Sequence, residues 1–316
     1  MTNQKENNSN GGTKAVLTAL LSNILIAVSK FVAFIVTASA SMLAESIHSF
    51  ADSVNQILLL FGNKQSKRPA DDLHPFGYGR EQYFYAFVVS LILFSIGGCF
   101  AILEAIEKIQ TPHEVSSSLL LPLIILFIAL ILETFSLSVA IKESKPYKGD
   151  KGYFEFIKTA KNPELMVCLL EDTAAVVGLV IAIICLFLAH FTHNPLFDAI
   201  GSGLIGVLLI CVAIILATEI KSLLIGESAD PEVIETINRE FVGGKIKSVI
   251  HNKVVHLSHD GLLVTAKVEF LPNVKSEEIS AQIDQAEIRI REALPQYKIA
   301  IYAESDVHNE NKQLKA

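Results

Sequence analysis

The run LMVCLLEDTAAVVGLVIAIICLFL, Leu165 to Leu188, decides the architecture. A bilayer-spanning helix needs about 20 mostly apolar residues, and this run supplies them. It also carries two adjacent carboxylates, Glu171 and Asp172. Ionisable side chains inside a membrane are costly, so each one is a candidate functional group. Working outward, the same criterion predicts six spans: about 15–38, 41–62, 83–107, 118–141, 165–190 and 197–222. The first two are joined by a few small residues around Thr37 to Ser41, which predicts a tight hairpin. Pro69, Pro75, Pro122 and Pro195 punctuate the other ends.

The bulk composition agrees with a membrane half followed by a soluble half. The chain has 316 residues, of which 51% are hydrophobic, and a mean hydropathy of +0.45. That is too apolar for an ordinary soluble protein. A net charge of −7 argues against a nucleic-acid partner, which requires a basic footprint. Cys99, Cys168, Cys185 and Cys211 all lie in apolar runs and none forms CxxC, so neither a disulfide framework nor a zinc knuckle is expected. Met1 to Gly12 is polar and has no apolar core, so no cleavable signal peptide is expected there.

Orientation is read from basic residues in the short loops. Lys64, Lys67, Arg68 and Arg80 follow the second span, and Lys142, Lys145, Lys148, Lys151, Lys158 and Lys161 follow the fourth. The loops after the third and fifth spans hold almost none. Both termini are therefore expected on the cytoplasmic side of a membrane, the cell (inner) membrane in the first instance. The expected domains are a disordered tail at 1–13, a six-helix membrane domain at 14–226, a cytoplasmic α+β domain at 227–306 and a tail at 307–316. Within the third of these, Pro231 to Phe241 reads as an amphipathic helix. Val249 to Leu257 and Leu262 to Phe270 alternate as a hairpin around His259-Asp260-Gly261. Ile279, Ile283, Ala286, Ile290 and Leu294 recur at helical spacing, and Lys298 to Tyr302 returns to a strand.

The second span carries Glu45, His48, Asp52 and Asn55. His48 and Asp52 are four apart and share a helix face, and Glu45 and Asn55 extend the stripe. An imidazole and a carboxylate there offer half of a tetrahedral Zn²⁺ site. The bland alternative is a buried polar pair tying helices together. Glu171 and Asp172 would repel each other at membrane depth, which makes sense if a cation sits nearby or one stays protonated. A structural role through Lys or Arg pairing is the alternative, but the apolar runs contain no Arg and few Lys. Asn23 and Glu133 either line a pathway or make one interhelical hydrogen bond each. Gly201, Gly203 and Gly206 suit close helix packing. Gly77 and Gly79 follow no strand, which excludes a nucleotide loop. In the tail, His251, His256, His259, Asp306 and His308 are candidate ligands for a second metal, although surface histidines are usually just solvated.

The stretch from Ala44 to Gln56, AESIHSFADSVNQ, resembles the second-helix signature of the cation diffusion facilitators. The stretch from His74 to Glu81, HPFGYGRE, is similar to that family's approach to the third helix. The resemblance covers about residues 14 to 306. It implies a six-helix membrane domain, a ferredoxin-like or copper-chaperone-like cytoplasmic domain, a homodimer, and exchange of a divalent metal for protons. By resemblance, His48, Asp52 and Asp172 are metal ligands. The usual fifth-helix His is replaced by Cys168, and the neighbouring Glu171 resembles a branch with a Glu-Asp pair. Successive helical residues turn by about 100°, so Asp172 and Glu171 flank Cys168 on opposite sides. That leaves Glu171 as the preferred fourth ligand or proton carrier and Cys168 as the other candidate. Zn²⁺ is the favoured ion, with Mn²⁺, Fe²⁺, Co²⁺ and Cd²⁺ as alternatives, because imidazole favours zinc while added carboxylate oxygen shifts weight toward harder ions. The competing readings are a membrane-anchored metal-sensing regulator or scaffold without transport, and an intramembrane metalloenzyme. No HExxH sequence supports the latter.

Overall fold

Apolar length turns into helix wherever backbone groups must be satisfied without water. The computed structural model describes residues 2–37, 40–111, 120–149 and 152–307, with backbone alone at 2–12, 33, 34, 36, 37, 40–48, 51 and 121. The long helices are α1 (Thr2–Thr37), α2 (Ala40–Ser66), α5 (Leu120–Lys148), α7 (Pro163–Thr192) and α8 (Leu196–Ile225). A further span, Glu81–Gln110, is composite. It comprises α3 (Glu81–Ile92), a π-helical turn at Leu93–Cys99 and α4 (Phe100–Gln110).

Among the described residues, five helices are long and apolar enough to cross a membrane: Thr13–Val32, Glu81–Gln110, Pro122–Lys148, Pro163–Thr192 and Leu196–Ile225. The sixth expected span, α2, is 27 residues long. Helix α1 begins at Thr2, within the stretch 1–13 that was expected as a disordered tail. Extending an existing helix costs far less than nucleating one. A short helix, α6 (Tyr153–Thr159), lies in the Lys-rich connection where the sequence reading placed none. Its Phe156 and Ile157 are buried, and that pair was its only signal.

The chain divides into two units: Met1–Pro69 with Glu81–Lys221, and Ala70–Arg80 with Ser222–Ala316. The second unit therefore includes a segment that the sequence reading had assigned to the membrane domain. The reason is close packing within that unit. A Cβ on Gly79 would lie 2.8 Å from the Leu257 carbonyl oxygen and from Ser258. The rings of Phe76 and Tyr302 meet edge to face with centroids 6.3 Å apart.

The rest of that unit follows α9 (Pro231–Phe241), β1 (Ile246–Ser258), β2 (Gly261–Phe270), α10 (Ser276–Ala293) and β3 (Lys298–Ser305). The sheet order is β1-β2-β3. β1 and β2 form an antiparallel hairpin that closes at Ser258 opposite Gly261. β3 then pairs parallel to β2, with Gly261 opposite Lys298. A parallel return needs a crossover, which α10 supplies. The backbone N–H of Lys275 donates to Glu278 Oε2 at 3.1 Å, fixing the start of α10. Alternation along β2 buries Leu262, Val264, Ala266 and Val268 against Ile237 and Phe241 of α9 and Ala286 and Ile290 of α10.

Candidate metal site

Helix α2 carries its polar residues at Asp52, Asn55, Gln56 and Asn63, spacings of three, one and seven that keep to one side of the helix. Glu45 and His48 lie on the same helix, but their side chains are outside the described residues. Asp52 is half-buried, while Asn55 and Gln56 are 1% and 0% exposed. Both amides turn toward α7. Asn55 Nδ2 donates to Glu171 Oε1 at 3.2 Å. Gln56 Nε2 donates to Glu171 Oε2 at 2.7 Å. The thiol of Cys168 lies 3.9 Å from Gln56 Oε1. Glu171 and Cys168 therefore share the α2-facing side of α7.

Asp172 turns the other way. Its Oδ2 accepts from Ser136 Oγ of α5 at 2.8 Å. This divergence follows from the turn of about 100° between neighbouring helical residues. Glu133 lies three residues before Ser136 on α5 and is also buried. Electrostatically, Glu171 feels Asp52, Asp172 and Glu133. Glu133 feels Asp172, Asp52 and, with opposite sign, Lys30 of α1. Lys30 and Asn23 are both buried on α1. Ser22 Oγ donates to the Leu132 carbonyl at 3.5 Å, which brings α1 alongside α5 next to Glu133.

The two halves of the sequence reading thus lie on helices that hydrogen bonds to Glu171 join. Buried carboxylates must be neutralised by protons, cations or donors. Here donors reach them from α2 and α5, and Asn55 Oδ1, itself buried, has no hydrogen-bond partner among the described residues. An acceptor left over beside a carboxylate is the arrangement that a cation, rather than an anion, would complete. Among the described residues no three His, Cys, Asp or Glu side chains close around one point at metal-ligand distance.

Gln56, Ser136 and Lys30 are the members that the sequence reading did not single out as site residues. Gln56 sits four residues beyond Asp52, and Ser136 three beyond Glu133, so helical spacing was the available signal. Elsewhere in the bundle, glycines of α8 do pack closely. A Cβ on Gly206 would lie 2.9 Å from Ile102, and one on Gly201 would lie 2.9 Å from Cys185.

The candidate ligands of the C-terminal unit are spread out. His251 is exposed on β1. His256 is 1% exposed in the core, with Nδ1 3.2 Å from the Ser258 carbonyl. The five residue steps from one to the other correspond to about 16 Å of strand. His259 lies in the turn, 3.9 Å from Asp260 Oδ1. Asp306 is engaged by Lys267 at 3.3 Å, and its hydrogen bond is the first cause of a raised Lys267 pKa. His308 lies outside the described residues. At the turn, burial works to raise the Asp260 carboxyl, but His259, Lys298 and Ser258 together hold it below the usual carboxylate range.

Comparison with known proteins bears on this arrangement. The cation efflux transmembrane domain matches residues 16–225. The chain belongs to the cation efflux family, the cation diffusion facilitators, and is an integral membrane protein. It is similar to the mitochondrial proton-coupled zinc antiporter SLC30A9 of Xenopus laevis, at 33% identity over 82% of this chain and 47% of the relative. It is also similar to metal tolerance protein C4 of Arabidopsis thaliana, at 33% identity over 72% of this chain and 50% of the relative. The manganese efflux system protein MneP of Bacillus subtilis is 27% identical over 70% of this chain and 71% of its own length. The chain spans about half the length of the antiporters and the metal tolerance protein it matches.

Proposed function

We propose that this chain is a secondary antiporter that moves a divalent transition-metal ion, Zn²⁺ first, outward from the cytoplasm in exchange for protons. The observation that carries this reading is the buried Glu171–Asp172 pair, whose carboxylates turn to α2 and α5 respectively. His48, Asp52 and Asp172 are assigned as ligands, with Glu171 the fourth ligand or the proton carrier. Imidazole and carboxylate must be deprotonated to bind a metal, so metal and protons compete for the same groups. That competition couples the two fluxes without a nucleotide site. Ligands divided among different helices suit alternating access, in which helix groups rock about a midplane site.

The assigned relatives lend support, since two of their names specify zinc antiport and manganese efflux. They also keep ion selectivity open between zinc and a harder ion. A homodimer with both termini cytoplasmic completes the proposal. The test is metal uptake by the purified full-length protein in proteoliposomes across an imposed pH gradient, with proton flux followed by a trapped dye. Zinc-driven proton movement that disappears in a folded Asp52→Ala variant is expected. Metal accumulation unaffected by collapsing the gradient, or full flux through Asp52→Ala, would overturn the reading.

A further inference from the structure

A second buried carboxylate lies nearer the Lys-rich end of α7. Glu164 is 3% exposed, in the helix's first turn. Asn63 of α2, itself 8% exposed, donates through Nδ2 to Glu164 Oε1. The same nitrogen lies 3.0 Å from Thr13 Oγ1 of α1. Glu164 precedes Glu171 by seven residues, and Gln56 precedes Asn63 by seven. Seven residues are almost two full turns, so each pair shares one helix face at about 10 Å separation along the axis. The interface between α2 and α7 therefore repeats one motif, an amide clasping a carboxylate, as Gln56–Glu171 and again as Asn63–Glu164. Between the two clasps lie Cys168 and Leu59, 0% and 2% exposed. The site built around Glu171 makes no use of Glu164.

A side-chain amide can act in two ways. Its NH₂ donates to a carboxylate, while its carbonyl oxygen can ligate a cation beside that carboxylate. Thr13 adds a hydroxyl oxygen of the same hard type. One carboxylate with two neutral oxygens holds a divalent ion weakly and leaves room for some of its water. Lys67 is within electrostatic reach of Glu164 and weakens such a site further. We propose that Glu164, Asn63 and Thr13 form a second, shallow station for the transported divalent cation, between the Lys-rich end of the bundle and the Glu171–Asp172 pair. In the empty state Asn63 clasps Glu164, and an arriving ion takes its place. This inference rests on the antiport reading above.

The alternative is a tie that merely holds three helices together, with the carboxylate favoured by the N-terminus of α7. Kinetics separates the two. Full-length protein is reconstituted with the Lys-rich end facing added Zn²⁺, and initial rates are measured across zinc concentration. Glu164→Gln keeps an oxygen for Asn63 but loses the charge. It is expected to raise KM about tenfold, with equilibrium affinity at the deep site changed by less than about threefold, tenfold corresponding to about 1.4 kcal/mol. Glu164→Asp should recover part of the loss. Asn63→Asp, which adds a second carboxylate, should lower KM. An unchanged KM in Glu164→Gln, a fall in maximal rate alone, or an unchanged or raised KM in Asn63→Asp would each overturn the station. A wild-type protein that moves no Zn²⁺ would sink the antiport reading and this one together. Normal wild-type flux with an indifferent Glu164→Gln would sink this one alone.

Discussion

Replacing Glu171 by Gln tests the central assignment with little disturbance of the fold. The wild-type carboxylate accepts one hydrogen bond at each oxygen, from Asn55 at 3.2 Å and from Gln56 at 2.7 Å. A glutamine keeps one acceptor and turns the other into an NH₂ facing a donor. A buried donor without a partner would cost about 1–3 kcal/mol. The structure offers an escape, because Asn55 Oδ1 lacks a partner among the described residues. Rotating the Asn55 amide by half a turn presents that oxygen to the new NH₂, and both hydrogen bonds survive. Glu171→Gln is therefore expected to unfold within a few degrees of wild type. Its effect on zinc is larger. Removing one charged partner from a buried ionic cluster typically costs about 3–5 kcal/mol. At 1.4 kcal/mol per decade, that weakens binding by about 10²-fold or more. A residue that only orients a ligand costs about 10–100-fold. The assay is Zn²⁺ titration of the purified full-length protein against a chromophoric chelator, beside thermal unfolding followed by circular dichroism. An affinity within about threefold of wild type, with unchanged unfolding, would refute a role for Glu171 in binding. Collapsed thermal stability would instead refute the Asn55 rotation.

Three shorter predictions follow from neighbouring contacts. Asp172→Asn is expected to abolish metal flux, whereas Ser136→Ala, which removes only its hydroxyl donor, should weaken zinc binding by about 10–100-fold and leave measurable flux; equal losses in proteoliposome flux would contradict the ligand assignment. Cys168→Ser should leave flux within about threefold of wild type, because a buried thiol resists becoming the thiolate that binds metal, and an inactive variant would point to a thiolate site instead. In the C-terminal unit the Asp260 carboxyl is held low by His259, Lys298 and Ser258 against the opposing effect of burial. A depressed carboxyl stabilises the fold above its unfolded value, about pH 3.9, and that stability is lost as pH falls through the folded value. Asp260→Asn should thus cost about 1 kcal/mol at neutral pH and nothing near pH 2; an equal cost at both pH values by thermal unfolding would contradict the charge argument.

Hydrophobic length and alternation made most of the fold legible. The helix Pro231–Phe241 agrees with the sequence reading at both ends, because proline at its first position and the loss of amphipathic spacing after Phe241 mark them. The hairpin was legible because Leu262, Val264, Ala266 and Val268 alternate strictly, and all are buried. What escaped was long-range. Nothing local in the stretch from Ala70 to Arg80 says that it packs with the C-terminal unit, since the surface it meets lies near Leu257, far along the chain. The π-helical turn at Leu93–Cys99 escaped for a related reason. Its apolar residues carry the same hydropathy signal in either helix type, and only the hydrogen-bond register distinguishes them.

The site was legible to the extent that the cost of burial is visible in one dimension. Glu171 and Asp172 stood out because an apolar run has no ordinary use for them. Which way each one points was not visible, because helical phase gives an angle but no neighbour. The sequence reading could place the two carboxylates on either side of Cys168. It could not say that one side faces Gln56 on α2 and the other Ser136 on α5. Gln56 and Ser136 are uncharged, so the burial argument that exposes a carboxylate passes over them. Yet they decide what the carboxylates can do, because a buried carboxylate without donors would hold its proton rather than exchange it for a metal. The neutral amides and hydroxyls on the facing helices are thus as much a part of the chemistry as the charges, and they are found by asking which residues recur at three- and four-residue spacing from a charge already singled out. Seven residues beyond Gln56, almost two full turns along the same face of α2, Asn63 makes the matching clasp on Glu164.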